Sequence, residues 1–180
     1  MGGGALLDIG LYPIFLACSF LGPVDSFEVE WVGAPNGVDR DLRLRARHRI
    51  GRSDLRATFD EPTPCRALVE AEGGSLEFGE HFHTPVDILV RTGSGSEVVG
   101  GPGTGGGYQH EIAHVQECLA SGLAESPLRP LEDTLALTEL LSSPDIPVAK
   151  PLEVTLDVES QNVQLDEEFE VKARVKNTLK

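Results

Sequence analysis

The sequence predicts an α+β fold in which an open, mostly antiparallel β-sheet carries helices on one face. Three features support this: an apolar helical stretch over residues 5–21, period-two alternation from about residue 24, and renewed helical periodicity over residues 108–119 and 131–141. Strands that alternate apolar and polar residues between turn signals typically form antiparallel sheets with one buried face. A hydrophobic content of 40% is ordinary for a globular fold.

The apolar N-terminal stretch is predicted to be a buried helix. No Lys or Arg precedes it, and it contains Asp8, Gly10 and Pro13, which argues against a signal peptide and against a membrane span. Because Pro13 has no N–H to donate to the preceding turn, we expect the helix to kink or restart near this residue and to end at Gly22.

Asp8 and Tyr12 are predicted to form a site on this helix. Residues four apart lie on the same helix face, and a carboxylate in apolar surroundings is costly unless it has a hydrogen-bond partner. Tyr12 is the nearest plausible donor to Asp8. The pair also has a purely structural interpretation, in which the two side chains only satisfy each other.

The central part of the chain is predicted to form short strands. The alternating apolar sets are Phe27, Val29 and Trp31, then Leu42, Leu44 and Ala46, then Leu55, Ala57 and Phe59. Further runs lie at residues 66–72, 75–78, 86–91 and 97–99, between Gly and Pro signals typical of hairpins. One strand also carries a row of basic residues that mostly fall on its solvent face, and we expect this row to pair with acidic neighbours. Its members are Arg40, Arg43, Arg45, Arg47 and Arg49.

Two later segments have the periodicity of amphipathic helices. The apolar stripes are Ile112, Val115 and Leu119 in the first and Leu135, Leu137, Leu140 and Leu141 in the second. We expect both helices to cover one face of the sheet. The glycine-rich residues 101–107 before them are predicted to be a flexible connection, since a dinucleotide fingerprint needs a strand before it, a helix after it and an acidic residue further on.

Charge and cysteine content restrict the class of protein. A formal charge of -14 and a pI near 4.7 argue against binding to nucleic acid or to an anionic membrane, because both require a basic face. The three cysteines are far apart and odd in number, which favours reduced thiols and a cytoplasmic protein.

The predicted domain organisation has three parts. Residues 1–143 form the main domain, residues 144–151 a proline-rich linker, and residues 152–180 a two-strand appendage. The appendage is faintly similar to the opening strands of an immunoglobulin-like sandwich. Two strands cannot bury a core alone, so the chain is either completed by other strands or is truncated or composite.

Two histidine clusters are candidates for metal binding. His110, Glu111 and His114 form an H-E-x-x-H motif, in which two imidazoles bind zinc and the Glu is the general base of a hydrolase. The alternative is the ordinary polar face of an amphipathic helix. His81 and His83 lie in a loop without further ligands at suitable spacing, which favours a surface or substrate-lining role over a metal site.

Two sequence blocks carry a family resemblance. The first is Gly-Gly-Gly-Ala-Leu-Leu-Asp-Ile-Gly-Leu-Tyr-Pro at residues 2–13, and the second lies at residues 107–137, with the helix that starts at Tyr108 and the Glu-Ser-Pro-Leu-Arg-Pro-Leu-Glu run after it. Together they resemble the C-terminal domain of the Gfo/Idh/MocA oxidoreductase family, nearest to its dihydrodiol dehydrogenase-like branch. The resemblance covers about residues 2–142.

The resemblance implies an NAD- or NADP-dependent oxidoreductase that acts on CH–OH groups of sugars, cyclitols or dihydrodiols. It implies catalytic roles for Tyr12, as the group that exchanges a proton with the substrate hydroxyl, and for Asp8, which orients it or binds a hydroxyl. Tyr108, His81 and His83 are expected to line the substrate pocket.

The family's nucleotide-binding half and its catalytic Lys are missing from this sequence, so we expect the chain alone to bind no cofactor and to be inactive. The resemblance also implies a homo-oligomer formed through the sheet face. Two alternatives remain: a non-catalytic dimerisation or binding module, and the zinc hydrolase.

Overall fold

The computed structural model describes residues 3–101, 104–143, 153–158 and 171–176. It confirms the α+β class with antiparallel sheets. A π-helical turn, Leu6–Gly10, continues into α1, Leu11–Leu21. The strands are β1 Val24–Gly33, β2 Asp39–His48, β3 Gly51–Thr58, β4 Ala67–Ala71, β5 Gly74–Phe78, β6 Asp87–Thr92, β7 Gly95–Gly100, β8 Glu153–Val158 and β9 Val171–Lys176. A 3-10 turn, Thr104–Gly107, precedes α2, Tyr108–Ala120, and α3 is Leu131–Leu141.

Strand pairing is antiparallel throughout the described residues, but it is divided among separate ladders. The orders are β1-β2-β3, β4-β5-β6-β7 and β8-β9. Pro62 and Pro64 lie between β3 and β4, and proline cannot donate a ladder hydrogen bond. The expected open sheet is therefore interrupted where the sequence places these two prolines.

The core forms where the first helix lies on the three-stranded ladder. Leu42 and Leu44 of β2 are almost fully buried, and Leu6 and Ile14 of the helical segment pack with them. From α3, three partly buried leucines join the same cluster. These are Leu137, Leu140 and Leu141. Two of the three helical segments thus lie over the apolar face of this sheet, as the alternation in β2 predicts.

The apolar stripe of α2 does not behave as predicted. Ile112, Val115 and Leu119 are 58%, 51% and 70% exposed, and no residue of α2 is buried among the described residues. An amphipathic pattern shows that a helix has an apolar face, but it does not identify what covers that face. The expectation that both late helices cover the sheet is therefore correct for α3 and wrong for α2.

Pro13 affects the first helix in the predicted region. The chain forms a wider π-helical turn over Leu6–Gly10 and returns to α-helix at Leu11, without a break. A residue without an N–H removes one bond of the regular ladder, and π-turns accommodate such a change inside a helix. The helix ends as predicted at Gly22, which has φ 83° and donates its N–H to the Cys18 carbonyl at 2.9 Å.

The outer face of the three-stranded ladder carries the predicted charges. Arg43, Arg45 and Arg47 of β2 point away from the core, because Leu42, Leu44 and Ala46 occupy the other face. Of the predicted basic row, Arg43 and Arg45 pair with acidic side chains of neighbouring strands, whereas Arg40 pairs with Asp60 after β3 and Arg49 lies beyond the end of β2. The pairs on this face are Arg43 with Asp54, Arg45 with Glu30, and Arg56 with Asp41.

Beyond α3 the structure describes only β8 and β9. They pair with each other over Glu153–Val158 and Val171–Lys176, which agrees with the two predicted strands. The predicted linker at residues 144–151 lies outside the described residues. Within the described part of the chain, no helix is both long enough and apolar enough to cross a membrane.

Candidate functional site

Asp8 and Tyr12 do not form the predicted hydrogen-bonded pair. Asp8 is exposed, and no hydrogen bond joins it to Tyr12 or to another of the described residues. Asp8 lies in the π-helical turn, whereas Tyr12 lies in α1. The usual stacking of side chains four residues apart assumes regular α-helical geometry, and the π-turn departs from it.

Tyr12 is instead partnered by His83. The two ring centroids are 4.9 Å apart and the rings are tilted by 35°. Tyr12 is 43% exposed and His83 is also exposed, so the contact is open to solvent on one side. The fold thus brings together two residues that the sequence singled out in separate motifs.

The loop that carries His83 has an unusual backbone. His81 has φ 60° and Cys65, two residues before β4, has φ 49°, and these are the non-glycine residues with positive φ in the described part of the chain. The two segments are joined by the Phe82 N–H, which donates to the Cys65 carbonyl at 3.2 Å. Backbone strain of this kind is maintained only where surrounding contacts enforce it, and it is concentrated at functional sites.

His83 is the centre of a small cluster of aromatic rings and one thiol. Its ring centroid lies 6.0 Å from that of His81 and 5.8 Å from that of Phe82, both in edge-to-face geometry. Its Nδ1 lies 3.7 Å from the Cys65 sulfur. We call Tyr12, Cys65, His81, Phe82 and His83 the Tyr12–His83 cluster.

The Tyr12–His83 cluster has two chemical capacities. Flat aromatic faces favour a ligand with an apolar ring or carbon skeleton, and a phenol beside an imidazole can exchange a proton with a bound hydroxyl. Nδ1 of His83 contacts the thiol, while its Nε2 has no hydrogen-bond partner among the described residues. The cluster can therefore bind a hydroxylated carbon compound and move a proton at its surface.

Tyr108 is not part of this cluster. It is the first residue of α2, it is 74% exposed, and none of the ring contacts in the described residues involves it. The contacts of the described residues therefore give no support to the predicted pocket-lining role of Tyr108.

The H-E-x-x-H motif does lie on a helix, as predicted, but His114 is engaged elsewhere. Its Nε2 is 2.7 Å from Ser126 Oγ and 3.5 Å from the Cys118 sulfur. Ser126 Oγ already accepts the N–H groups of Leu128 and Arg129 at 3.1 Å each. Because both lone pairs of Ser126 Oγ accept these N–H groups, its hydroxyl donates its proton to Nε2 of His114. The lone pair of Nε2 is then not free to bind a metal ion.

No set of three or more His, Cys, Asp or Glu side chains in the described residues is arranged to hold a metal ion. The contacts of His114 instead fix the turn between α2 and α3. They leave the zinc hydrolase alternative without geometric support.

The described residues contain no dinucleotide-binding unit. The glycine-rich residues before α2 follow β7, which is an antiparallel edge strand and not the parallel strand of a dinucleotide-binding unit. No parallel strand pair is present in the described residues that would complete such a unit. We therefore assign no step of the chemistry to a cofactor held by these residues.

Sequence reasoning missed Cys65 and Phe82 as parts of the site. Both contacts depend on how β4 approaches the loop after β5, which no local pattern reveals. One signal was available: Cys65 follows two prolines closely, and His81 to His83 follow a glycine at the end of a strand. Such short loops force unusual backbone angles and place side chains at the sheet edge.

Comparison with solved structures places the fold among oxidoreductases. The aldose-aldose oxidoreductase of Caulobacter crescentus, solved with glycerol, has a TM-score of 0.64 at 17% identity and matches 77% of this chain and 43% of its own. A mutant form of KijD10, a 3-ketoreductase from Actinomadura kijaniata solved with TDP-benzene and NADP, has a TM-score of 0.58 at 25% identity, over 78% of this chain and 46% of its own.

These neighbours are of the Gfo/Idh/MocA type, and the chain has the fold of their C-terminal domain, as the sequence resemblance predicted. Among curated proteins, its relatives are trans-1,2-dihydrobenzene-1,2-diol dehydrogenases. The protein from Xenopus tropicalis is 28% identical over 152 residues, which are 78% of this chain and 46% of the relative. The human protein is 26% identical over 152 residues, or 77% of this chain and 44% of the relative.

The chain thus spans less than half of the length of the relatives it matches. No protein-family model matches it. The sequence and fold together identify an oxidoreductase-like domain related to the dihydrodiol dehydrogenases.

Proposed function

We propose that residues 1–143 are the substrate-binding half of an NAD(P)-dependent oxidoreductase that acts on the CH–OH group of a polyol, cyclitol or dihydrodiol. The observation that carries this proposal is the contact between Tyr12 and His83, whose ring centroids lie 4.9 Å apart. It puts a phenol and an imidazole together on a surface that is open to a ligand.

Oxidation of an alcohol requires a group that takes the hydroxyl proton as hydride leaves the carbon. Tyr12 has this role in the proposal, and His83 receives the proton from the phenol or orients it. His81 and Phe82 line the ligand beside them. Asp8, which is exposed one turn before Tyr12, binds a second hydroxyl of the substrate and does not need to bond to Tyr12.

The cofactor of this enzyme would be held by a nucleotide-binding domain outside the described residues and would supply the hydride acceptor. The choice of NAD or NADP rests on relatives alone. KijD10 was solved with NADP, and an oxidoreductase from Agrobacterium radiobacter with NAD+, L-tartaric acid and magnesium. Small hydroxylated compounds in these structures and in the names of the curated relatives support the proposed substrate class.

Free thiols support the proposal that the protein acts in a reducing compartment such as the cytoplasm. All three cysteines, Cys18, Cys65 and Cys118, are free. Within the proposal, Cys65 must stay reduced because its sulfur contacts His83.

The test is to supply a nucleotide-binding domain of a dihydrodiol dehydrogenase, in trans or by fusion, and to measure NAD(P)+ reduction with dihydrodiols and polyols. We expect no turnover by the chain alone and measurable turnover by the complemented chain. Tyr12→Phe should then lower kcat by roughly 10²- to 10⁴-fold, the usual contribution of a positioned acid–base group.

His83→Gln should also lower kcat, whereas His110→Gln, a matched change on the exposed face of α2, should leave it unchanged. Full activity of Tyr12→Phe would overturn the catalytic role of this residue. A folded, complemented chain without any turnover would favour the alternative of a non-catalytic binding or dimerisation module.

A further inference from the structure

A carboxylate from the β1-β2-β3 sheet accepts a hydrogen bond from the N-terminus of the helix that carries Tyr12. Asp39 is the first residue of β2 and is 1% exposed, and its Oδ2 accepts the Leu6 N–H at 2.7 Å. The first amides of a helix have no partner within the helix and attract negative charge. Asp39 therefore acts as a helix cap supplied from 33 positions away in sequence.

Gly4 makes this close approach possible. It has φ 67°, and a β-carbon on it would lie 2.0 Å from Asp39 Oδ1 and 2.9 Å from Asp39 Cγ. No other residue type has both the left-handed backbone freedom and the space that the carboxylate requires here. Gly4 thus provides the room that Asp39 needs.

Backbone hydrogen bonds around Asp39 fix its position in the sheet. The turn before it is closed by the Ala34 N–H, which donates to the Val38 carbonyl at 2.7 Å, and Asp39 pairs with Gly33 in the ladder. On the other side, the Phe59 N–H donates to the Arg40 carbonyl at 2.8 Å. The cap therefore connects the helix to a rigid edge of the β1-β2-β3 sheet.

We propose that Asp39 is a positioning residue for the site: it fixes the π-helical turn at its N-terminus and thereby sets the place of Tyr12 against His83. Tyr12 is six residues after the capped amide of Leu6 and joins the cluster only by its ring contact. A helix released at Leu6 can rotate or fray through the π-turn, which moves both Asp8 and Tyr12. The catalytic consequence rests on the proposed function, but the effect on geometry does not.

The first test measures geometry in the 180-residue chain by NMR. Asp39→Ala should weaken the contact signals between the Tyr12 and His83 rings and speed amide exchange at Leu6, while the amides of Leu44 and Leu55 stay protected. Asp39→Asn, which keeps an acceptor oxygen, should restore part of both. Asp60→Ala, a matched change in an exposed aspartate bonded to Arg40, should change neither.

Gly4→Ala provides a second route if Asp39→Ala does not fold, because it displaces the carboxylate without removing it. Unchanged ring contacts and unchanged Leu6 exchange in a folded Asp39 or Gly4 variant would overturn the proposal.

The second test uses the complemented enzyme. Asp39→Asn should lower kcat with less effect on KM, by roughly tenfold or more, since small displacements of a reacting group can cost about 10²-fold. Parental kcat in a variant whose ring contact is lost would refute the link to catalysis. If the parent has no activity, the proposed function fails while the NMR result still decides the role of Asp39.

Discussion

Individual residues in this chain have roles that depend on backbone geometry as much as on side-chain type. A π-turn at Leu6–Gly10 carries Asp8, whereas Tyr12 and Pro13 lie in the α-helix that follows. The sequence identified Asp8 and Tyr12 as candidates and Pro13 as an irregularity of the helix. The pair does not form because the π-turn departs from the regular spacing of side chains four residues apart.

At this scale we predict that Gly4→Ala destabilises the chain. An alanine at φ 67° is strained, and its β-carbon collides with the buried Asp39 carboxylate, so the free energy of unfolding should fall by about 1–3 kcal/mol. Urea unfolding at pH 7 measures this. Gly73→Ala, where a β-carbon meets nothing within 4 Å, is the control, and equal stability of both variants would contradict the prediction.

At the scale of elements, strand alternation predicted the outer face of the β1-β2-β3 sheet well. The register brings Arg43 beside Asp54, and the Arg43 Nε donates to Asp54 Oδ1 at 2.7 Å. The hydrogen bond from Arg43 lowers the pKa of Asp54, and that from Arg56 lowers the pKa of Asp41. Both arginine side chains are about half exposed, so each pair contributes only weakly to stability.

This arrangement predicts an acid-sensitive, salt-sensitive part of the stability. A carboxyl group whose pKa is lowered on folding stabilises the fold above its unfolded pKa, near 4, and this stabilisation is lost as pH falls through the lower folded value. Urea unfolding from pH 7 to pH 2.5 should therefore show a smaller loss below pH ~4 for Asp54→Asn than for the parent.

High salt should reduce the difference between Asp54→Asn and the parent, because exposed pairs are screened. The control is Glu28→Gln on the same face, since Glu28 makes no ion pair in the described residues. An Asp54→Asn profile parallel to that of the parent would show that the pair contributes nothing measurable.

Helical periodicity did not predict which of the two later helices packs on the core. The apolar stripes of α2 and α3 are equally clear in the sequence, but only α3 places leucines against the core. Periodicity identifies an apolar face from local geometry. The partner of that face is decided by long-range contacts, which periodicity does not contain.

At the scale of the whole molecule, one face of the four-stranded sheet carries exposed aliphatic side chains that could support the expected homo-oligomer. Leu68, Leu89 and Val98 of β4, β6 and β7 lie in one row, in which Glu77 of β5 stands between Leu68 and Leu89, and Leu68 and Val98 are 56% and 63% exposed. The opposite face carries Phe78, which packs edge-to-face on Phe20 of α1 at 5.9 Å. The exposed face is thus the one turned away from the helix.

We predict that Val98→Glu lowers the association state of the chain, because a charge in an apolar contact is costly to bury. Light scattering during size-exclusion chromatography, over a range of protein concentrations, measures this. Ile50→Glu is a matched control, since Ile50 is 67% exposed in the turn between β2 and β3. A monomeric parent, or identical masses for parent and Val98→Glu, would refute association through this face.

By itself the sequence determined the fold class, the strands and the candidate residues Tyr12, His81 and His83, because alternation, turn residues and the two family-like blocks are local features of the chain. Only the tertiary structure decided that Tyr12 contacts His83, that Cys65 belongs to the same cluster and that Asp39 caps the first helix. These contacts join segments far apart in sequence, and their formation depends on strand register and on the packing of the helix against the sheet. Local patterns determine which elements form, whereas packing determines which of their side chains meet.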